Sequence, residues 1–283
     1  MRLFRLVLVL LAVALPAAAK DGDSRYAGLD GFLVHYKAWG KADAPAVILI
    51  HGFTLDQSFW TPQIRTLAGR YRVIAMDSPG HGDSAKPADV AYTMELYARA
   101  VEAVAADAGV TRAALIGHSM GLPVIQTVLR RGRLAVTKAV FIDGAIWPTD
   151  PAAVAEHDKT WVPFMDSLRG PDHRVAMQQF FQGFMPRLPP DWRKAVEANL
   201  RAYDHHMAVS TLEHFGAPDV WAPARFELPV LALYAEMSSP GVKEWLAAHY
   251  PRARLVVWAD VDHFPQLEQP RRVNEAILKF LRK

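Results

Sequence analysis

The 283-residue chain contains no cysteine. That excludes a disulfide scaffold, a thiolate metal site and a cysteine nucleophile. A strong charge bias is also missing: 32 basic and 29 acidic residues leave a net charge of +3, and charged residues make up only 22%. A chain this evenly charged and 51% apolar can build a core and is not a disordered polymer. It has no basic stripe of the kind that nucleic acid requires, so no nucleic-acid partner is expected. Past residue 19 no run approaches 18 consecutive apolar residues. Once the amino-terminal segment is removed, stable membrane insertion is therefore not expected. No internal repeat or low-complexity tract occurs.

Residues 1–19 read MRLFRLVLVLLAVALPAAA. Arg2 and Arg5 begin the segment, Leu6 to Leu15 are unbroken apolar, Pro16 ends the run, and Ala17-Ala18-Ala19 supply small residues for cleavage. This three-part layout predicts a signal peptide over residues 1–19 and an exported protein, periplasmic or secreted. A retained membrane anchor is the alternative, although the run is short for a span. Cleavage would remove two arginines, leaving 30 basic against 29 acidic residues, or +1. The basic excess then belongs mostly to targeting.

Short apolar runs at 32–39, 46–50, 72–76, 113–116, 138–142, 229–234 and 254–258 predict strands. Several are continuously apolar, as in Val47-Ile48-Leu49-Ile50, the pattern of strands buried on both faces of a parallel sheet. Helical spacing lies between them, for example Met94, Tyr97, Val101 and Val104. The alternation predicts an α/β fold with helices on both faces of the sheet. Residues 146–226 break this rhythm and are rich in Trp, Phe and Met. They are expected to form a helical cap inserted into the core of residues 20–145 and 227–283, with some aromatic side chains facing the cleft below.

Gly117-His118-Ser119-Met120-Gly121 follows one predicted strand and opens a predicted helix. A sharp strand–turn–helix of this kind exposes a serine as a nucleophile, and the flanking glycines prevent collision. His51-Gly52-Phe53 follows another strand. The backbone N–H groups of Phe53 and Met120 are expected to form an oxyanion hole; His51 itself reads as structural. The loop from Asp77 to Ser84 lacks the Lys and the glycine spacing of a phosphate loop and also reads as structural. His263, just past the last predicted strand, is the expected general base. His157, His173 and the pair His205-His206 show no ligand spacing with a carboxylate. No metal and no cofactor are expected.

These ordered motifs, with the closing Asp262-His263-Phe264-Pro265 segment, resemble the α/β-hydrolase fold superfamily over residues 32–281. The resemblance implies a mostly parallel eight-stranded sheet, a triad ordered Ser–acid–His, and a cap where the insertion lies. One departure stands out. Family members usually carry the triad acid just after the penultimate core strand. Here that stretch reads Glu236-Met237-Ser238-Ser239-Pro240, and Ser238 occupies the acid's slot. Asp143, at the end of the strand after the nucleophile, is the first candidate for the acid, because some superfamily members place it there. Glu236 is the second; Asp260, another carboxylate or none remains open.

The expected function is a cofactor-free serine hydrolase cleaving an ester of a small apolar or aromatic substrate through an acyl-enzyme. Cleavage of a C–C bond, lactone or peptide by the same triad is an alternative. A low-turnover small-molecule receptor on the hydrolase scaffold is another. A serine nucleophile disfavours epoxide hydrolysis and dehalogenation through an alkyl-enzyme ester. The expected partner is a small-molecule substrate, and the oligomeric state is open.

Overall fold

The computed structural model describes residues 22–238 and 240–282. The export segment expected over residues 1–19 lies outside them. The eight strands are β1 (Asp23–Leu29), β2 (Phe32–Trp39), β3 (Ala46–Ile50), β4 (Arg72–Met76), β5 (Arg112–His118), β6 (Ala135–Ile142), β7 (Val230–Ala235) and β8 (Ala253–Trp258). They form one sheet in the order β1-β2-β4-β3-β5-β6-β7-β8. β2 runs antiparallel to both neighbours, and every other pair is parallel. The α/β fold expected from the alternation is therefore present, with the mostly parallel eight-stranded sheet that the resemblance implies.

Seven of these strands lie on the apolar runs read from the sequence. β1 was not among them. It is an edge strand whose first four residues are exposed, so it carries almost no apolar signal. Its local signal is the turn that follows: Asp30 and Gly31 both have positive φ, 49° and 89°. An Asp-Gly pair in that conformation closes a two-residue hairpin with the twist its strands need.

The helices are α1 (Thr61–Leu67), α2 (Met94–Asp107), α3 (Gly121–Arg131), α4 (Pro151–Arg169), α5 (His173–Gln182), α6 (Pro190–Ala202), α7 (His205–Glu213), α8 (Pro218–Trp221), α9 (Val242–His249), α10 (Pro265–Glu268) and α11 (Pro270–Leu281). The central strands show why an unbroken apolar run suits this sheet. Val47 and Leu49 of β3 face α1 and α11, packing with Ile64, Leu67, Val273 and Ile277. Ile48 and Ile50 face the other way, in a core with Val101 and Val104 of α2 and Val124 and Ile125 of α3. Both faces are covered, so neither set can be polar.

α4 to α8 all fall between β6 and β7. Their buried residues, among them Met165, Leu168, Met177, Phe181 and Leu200, belong to the same apolar cluster as Ile48 and Ile50 of the sheet. The side chain of Asp150 caps α4 by accepting the N–H groups of Ala152 and Ala153. Among the described residues, no helix is long and apolar enough to cross a membrane.

Candidate active site

Three loops at one edge of the sheet build the site. After β5 the chain turns through Ser119, whose φ is +50°. After β6 it turns through Asp143, whose φ is +44°. Side chains other than glycine rarely adopt this region, which costs roughly 1–2 kcal/mol per residue. The two turns hold each other in place. Ser119 N–H donates to Ile142 O at 3.1 Å, and Ala145 N–H donates to Ser119 O at 3.0 Å. The flanking glycines are needed because the walls touch. A Cβ at Gly121 would lie 2.7 Å from the Ile50 carbonyl oxygen, and one at Gly117 would lie 2.6 Å from the Gly121 backbone.

The third loop, after β8, carries His263. Its Nδ1 lies 2.6 Å from Asp143 Oδ2, across 120 residues of chain. Asp143 is fully buried. Its Oδ2 also accepts the Ser238 hydroxyl at 2.8 Å, and its Oδ1 accepts Ala235 N–H at 2.9 Å. Burial by itself would raise the carboxyl group, but the bond and charge of His263 and these two donors outweigh it and hold it below the usual carboxylate range. Ser238, which sits in the slot where the resemblance places an acid, thus donates to Asp143 at the end of the neighbouring strand. Glu236 stands exposed in the short turn Glu236–Ser238 that follows β7. Asp260 pairs with Arg272 at the surface.

Ser119, Asp143 and His263 line one cavity of about 950 Å³ together with Phe53 and Met120. Among the described residues, neither the Phe53 nor the Met120 N–H donates to a protein acceptor. The neighbouring amides are spent: Leu55 N–H bonds to Gly52 O and Thr54 N–H to His81 Nε2. The cavity wall includes Trp147, Trp161, Phe180 and Phe184 from the segment between β6 and β7, and Trp245 from α9. Several aromatic residues of that segment therefore face the cleft, as the sequence suggested, while others, such as Trp221, are buried in the apolar core shared with the sheet.

Three further histidines surround the site, fully buried, and the sequence reading gave a role to only one of them. His51 donates from Nδ1 to Gly52 O and accepts Ser78 N–H at Nε2, which matches the structural role expected for it. His81 accepts Thr54 N–H at Nε2, and its Nδ1 lies 3.0 Å from Pro79 O. His118 donates from Nε2 to His263 O at 2.7 Å, and its ring packs on the His263 ring at 4.9 Å between centroids. The signal for His118 was its place inside the elbow motif, directly beside Ser119.

Burial pushes His81 down to about 3, aided by the charge of His51, and pushes His118 down to about 3, aided by the charge of His263. An unfolded histidine takes up its proton near pH 6.5. Between these values the unfolded chain binds more protons than the folded one. Stability is therefore complete above pH 6.5 and is lost as pH falls toward 3. Each ring is expected to remove about 2 kcal/mol between pH 7 and pH 5. Urea unfolding at the two pH values measures this, and an unchanged midpoint would contradict it.

His35, Asp77 and Asp83 bring ligand atoms within 4.8 Å of one another. His35 Nδ1 is bonded to Asp77 Oδ2 at 2.7 Å, and His35 Nε2 lies 2.8 Å from the Ser24 hydroxyl. Asp77 further accepts the N–H groups of Gln57 and Asp83. Its lone pairs hold the 77–84 loop together, and none of the three lines the cavity. Elsewhere, the rings of His173 and His205 stack at 3.9 Å between centroids. His157 lies 4.3 Å from the Trp147 ring at the cavity wall.

A model of the alpha/beta hydrolase family matches residues 47–276. The chain is similar to carboxylesterase YbfK of Bacillus subtilis, 25% identical over 254 residues that cover 87% of this chain and 83% of that one. It is also similar to a bifunctional esterase/perhydrolase of Acinetobacter calcoaceticus, 28% identical over 277 residues, covering 89% and 97%. Among solved structures, a hydrolase from Pseudomonas aeruginosa superposes with a TM-score of 0.77 at 25% identity, covering 92% of this chain and 98% of that one.

Proposed function

Because this chain belongs to the alpha/beta hydrolase family, we propose that it is a serine esterase whose triad is Ser119, His263 and Asp143. The observation that carries the reading is the 2.6 Å contact between His263 Nδ1 and the buried Asp143 carboxylate, in the cavity that Ser119 also lines. The esterase relatives support the reaction class.

In this reading His263 Nε2 takes the hydroxyl proton as Ser119 Oγ attacks the ester carbonyl carbon. The carbonyl oxygen becomes an oxyanion facing the free N–H groups of Phe53 and Met120. Each such donor is worth about 3 kcal/mol in the transition state. The C–O bond then breaks, His263 returns the proton to the departing alkoxide, and the acyl group stays on Ser119. A water repeats the cycle and releases the acid. Asp143 holds the imidazole with Nδ1 protonated, so that Nε2 is free to accept, and stabilises the ring when charged.

The aromatic wall supports an apolar or aromatic ester of modest size. The reading is tested by incubating the protein with p-nitrophenyl butyrate and with a fluorophosphonate. Many turnovers per protein are expected, together with covalent labelling of Ser119. A burst that stops at one equivalent of nitrophenol would instead identify a receptor that traps its ligand.

A further inference from the structure

The helical segment between β6 and β7 reaches the His263 loop at two points, both on the turn between α5 and α6. Phe184 lays its ring against the His263 imidazole, 4.8 Å between centroids. Three residues on, Arg187 binds the carboxylate of Asp262, the residue directly before His263. Its backbone N–H donates to Asp262 Oδ2 at 2.7 Å and its guanidinium to Oδ1 at 2.8 Å. The turn itself is tied down by Arg193, which donates to Met185 O and Pro186 O at 2.6 and 3.0 Å.

The burial of this pair is uneven. The Asp262 side chain is 5% exposed, whereas that of Arg187 is 55% exposed. A carboxylate withdrawn from water needs a partner, and a charge left alone in such a place is costly. Asp262 gains little for its own loop by being charged, because the loop is already held on its other side. Glu268 accepts the N–H groups of Asp262 and Phe264 at 2.6 and 3.2 Å. What Asp262 offers in addition is a point by which a residue outside the core can grip the loop.

We propose that Arg187 is a positioning residue that grips Asp262 from the helical segment, holding the His263 loop and cancelling the negative charge carried one residue before the imidazole. This rests on His263 being the general base. Among the described residues, the charged and titratable groups that touch the His263 ring or its loop are Asp143 after β6, His118 on β5, Glu268 on α10 and the pair Arg187–Asp262; Asp260 pairs with Arg272 at the surface before that loop, and Asp150, His157 and Glu244 line the same cavity. Asp143 faces the ring nitrogen directly. With Asp262 neutralised by Arg187, the ring's charge and tautomer are set mainly by Asp143, the carboxylate bonded to its Nδ1. Removing the guanidinium uncovers a negative charge one residue away and removes a positive one, and both changes favour the protonated ring.

The test is a histidine titration followed by NMR, with the protein labelled in the imidazole carbons and the His263 signal assigned by its loss in His263→Gln. In Arg187→Ala the His263 midpoint should move up by about half to one pH unit. It should return in Arg187→Ala/Asp262→Asn, and it should stay near the wild-type value in Arg187→Lys, which keeps the charge. The acid limb of kcat/KM on p-nitrophenyl butyrate should follow the same order. A purely structural contact would lower kcat at every pH without moving the midpoint. An unmoved midpoint in Arg187→Ala, or an equal shift in the double variant, overturns the proposal. The midpoint is readable whether or not esters are turned over, so an inactive protein counts against the proposed esterase alone.

Discussion

Replacing Ser119 by alanine is expected to lower kcat on p-nitrophenyl butyrate by about 10⁶-fold. Alanine removes the oxygen proposed to attack and nothing else: the cavity, the two amides of Phe53 and Met120 and the His263–Asp143 pair all remain. The backbone at 119 stays in its strained conformation with either side chain, so the melting temperature should hardly change. His263→Ala should cost about as much, because a serine without a base is a poor nucleophile. The double variant should be no worse than either single one, since the two side chains act as one unit. A residual rate above the uncatalysed one should persist in all three, supplied by the Phe53 and Met120 amides and by binding. The measurement is steady-state kinetics on protein freed of contaminating esterase. A Ser119→Ala protein with undiminished turnover would falsify the mechanism.

The second large effect concerns the acid. Asp143→Asn is expected to cost about 10⁴ in kcat. The three donors around this carboxylate explain why an isosteric amide cannot serve. Ala235 N–H still needs an acceptor on one side, which turns the asparagine NH₂ toward His263 Nδ1. That ring nitrogen must then accept, the proton moves to Nε2, and the base faces Ser119 in the wrong tautomer. Glu236→Gln, by contrast, should change kcat by no more than about twofold, the usual effect of a surface substitution. The position of Ser238 adds a sharper arm. Its hydroxyl lies 2.8 Å from the same Asp143 oxygen that His263 binds. An aspartate there would bring a carboxylate close to the ring. Asp143→Asn/Ser238→Asp should therefore regain roughly a hundredfold of the loss, short of full recovery because a displacement of about 1 Å can itself cost that much. If Glu236→Gln proved the damaging change, the acid would be Glu236.

Much of the fold was legible because burial on both faces leaves a simple trace. β3 and β4 lie where their apolar runs begin and end, and the parallel sheet follows from the alternation of those runs with helical spacing. β1 left no such trace. An exposed edge strand has no apolar face to display, and only the Asp30-Gly31 turn marks it. The segment between β6 and β7 could be recognised as different by composition. Its aromatic residues could not be divided into those packing on one another and those facing the cavity, because both uses require the same residue types.

The sequence by itself determined seven of the eight strands and the turns at the sheet's edge, and it singled out the residues proposed to do chemistry there. Each of these depends on neighbours within a few positions, such as glycines beside Ser119 or apolar residues two apart. Only the tertiary structure decided which carboxylate meets His263 and what holds that histidine's loop. Asp143 and His263 are 120 residues apart, and they meet because β6 and β8 lie two places apart in one sheet and Asp143 turns at a positive φ. Arg187 and Asp262 meet because a helical excursion folds back over the sheet's edge. A contact between distant residues depends on the path of all the chain between them, and no local pattern records that path.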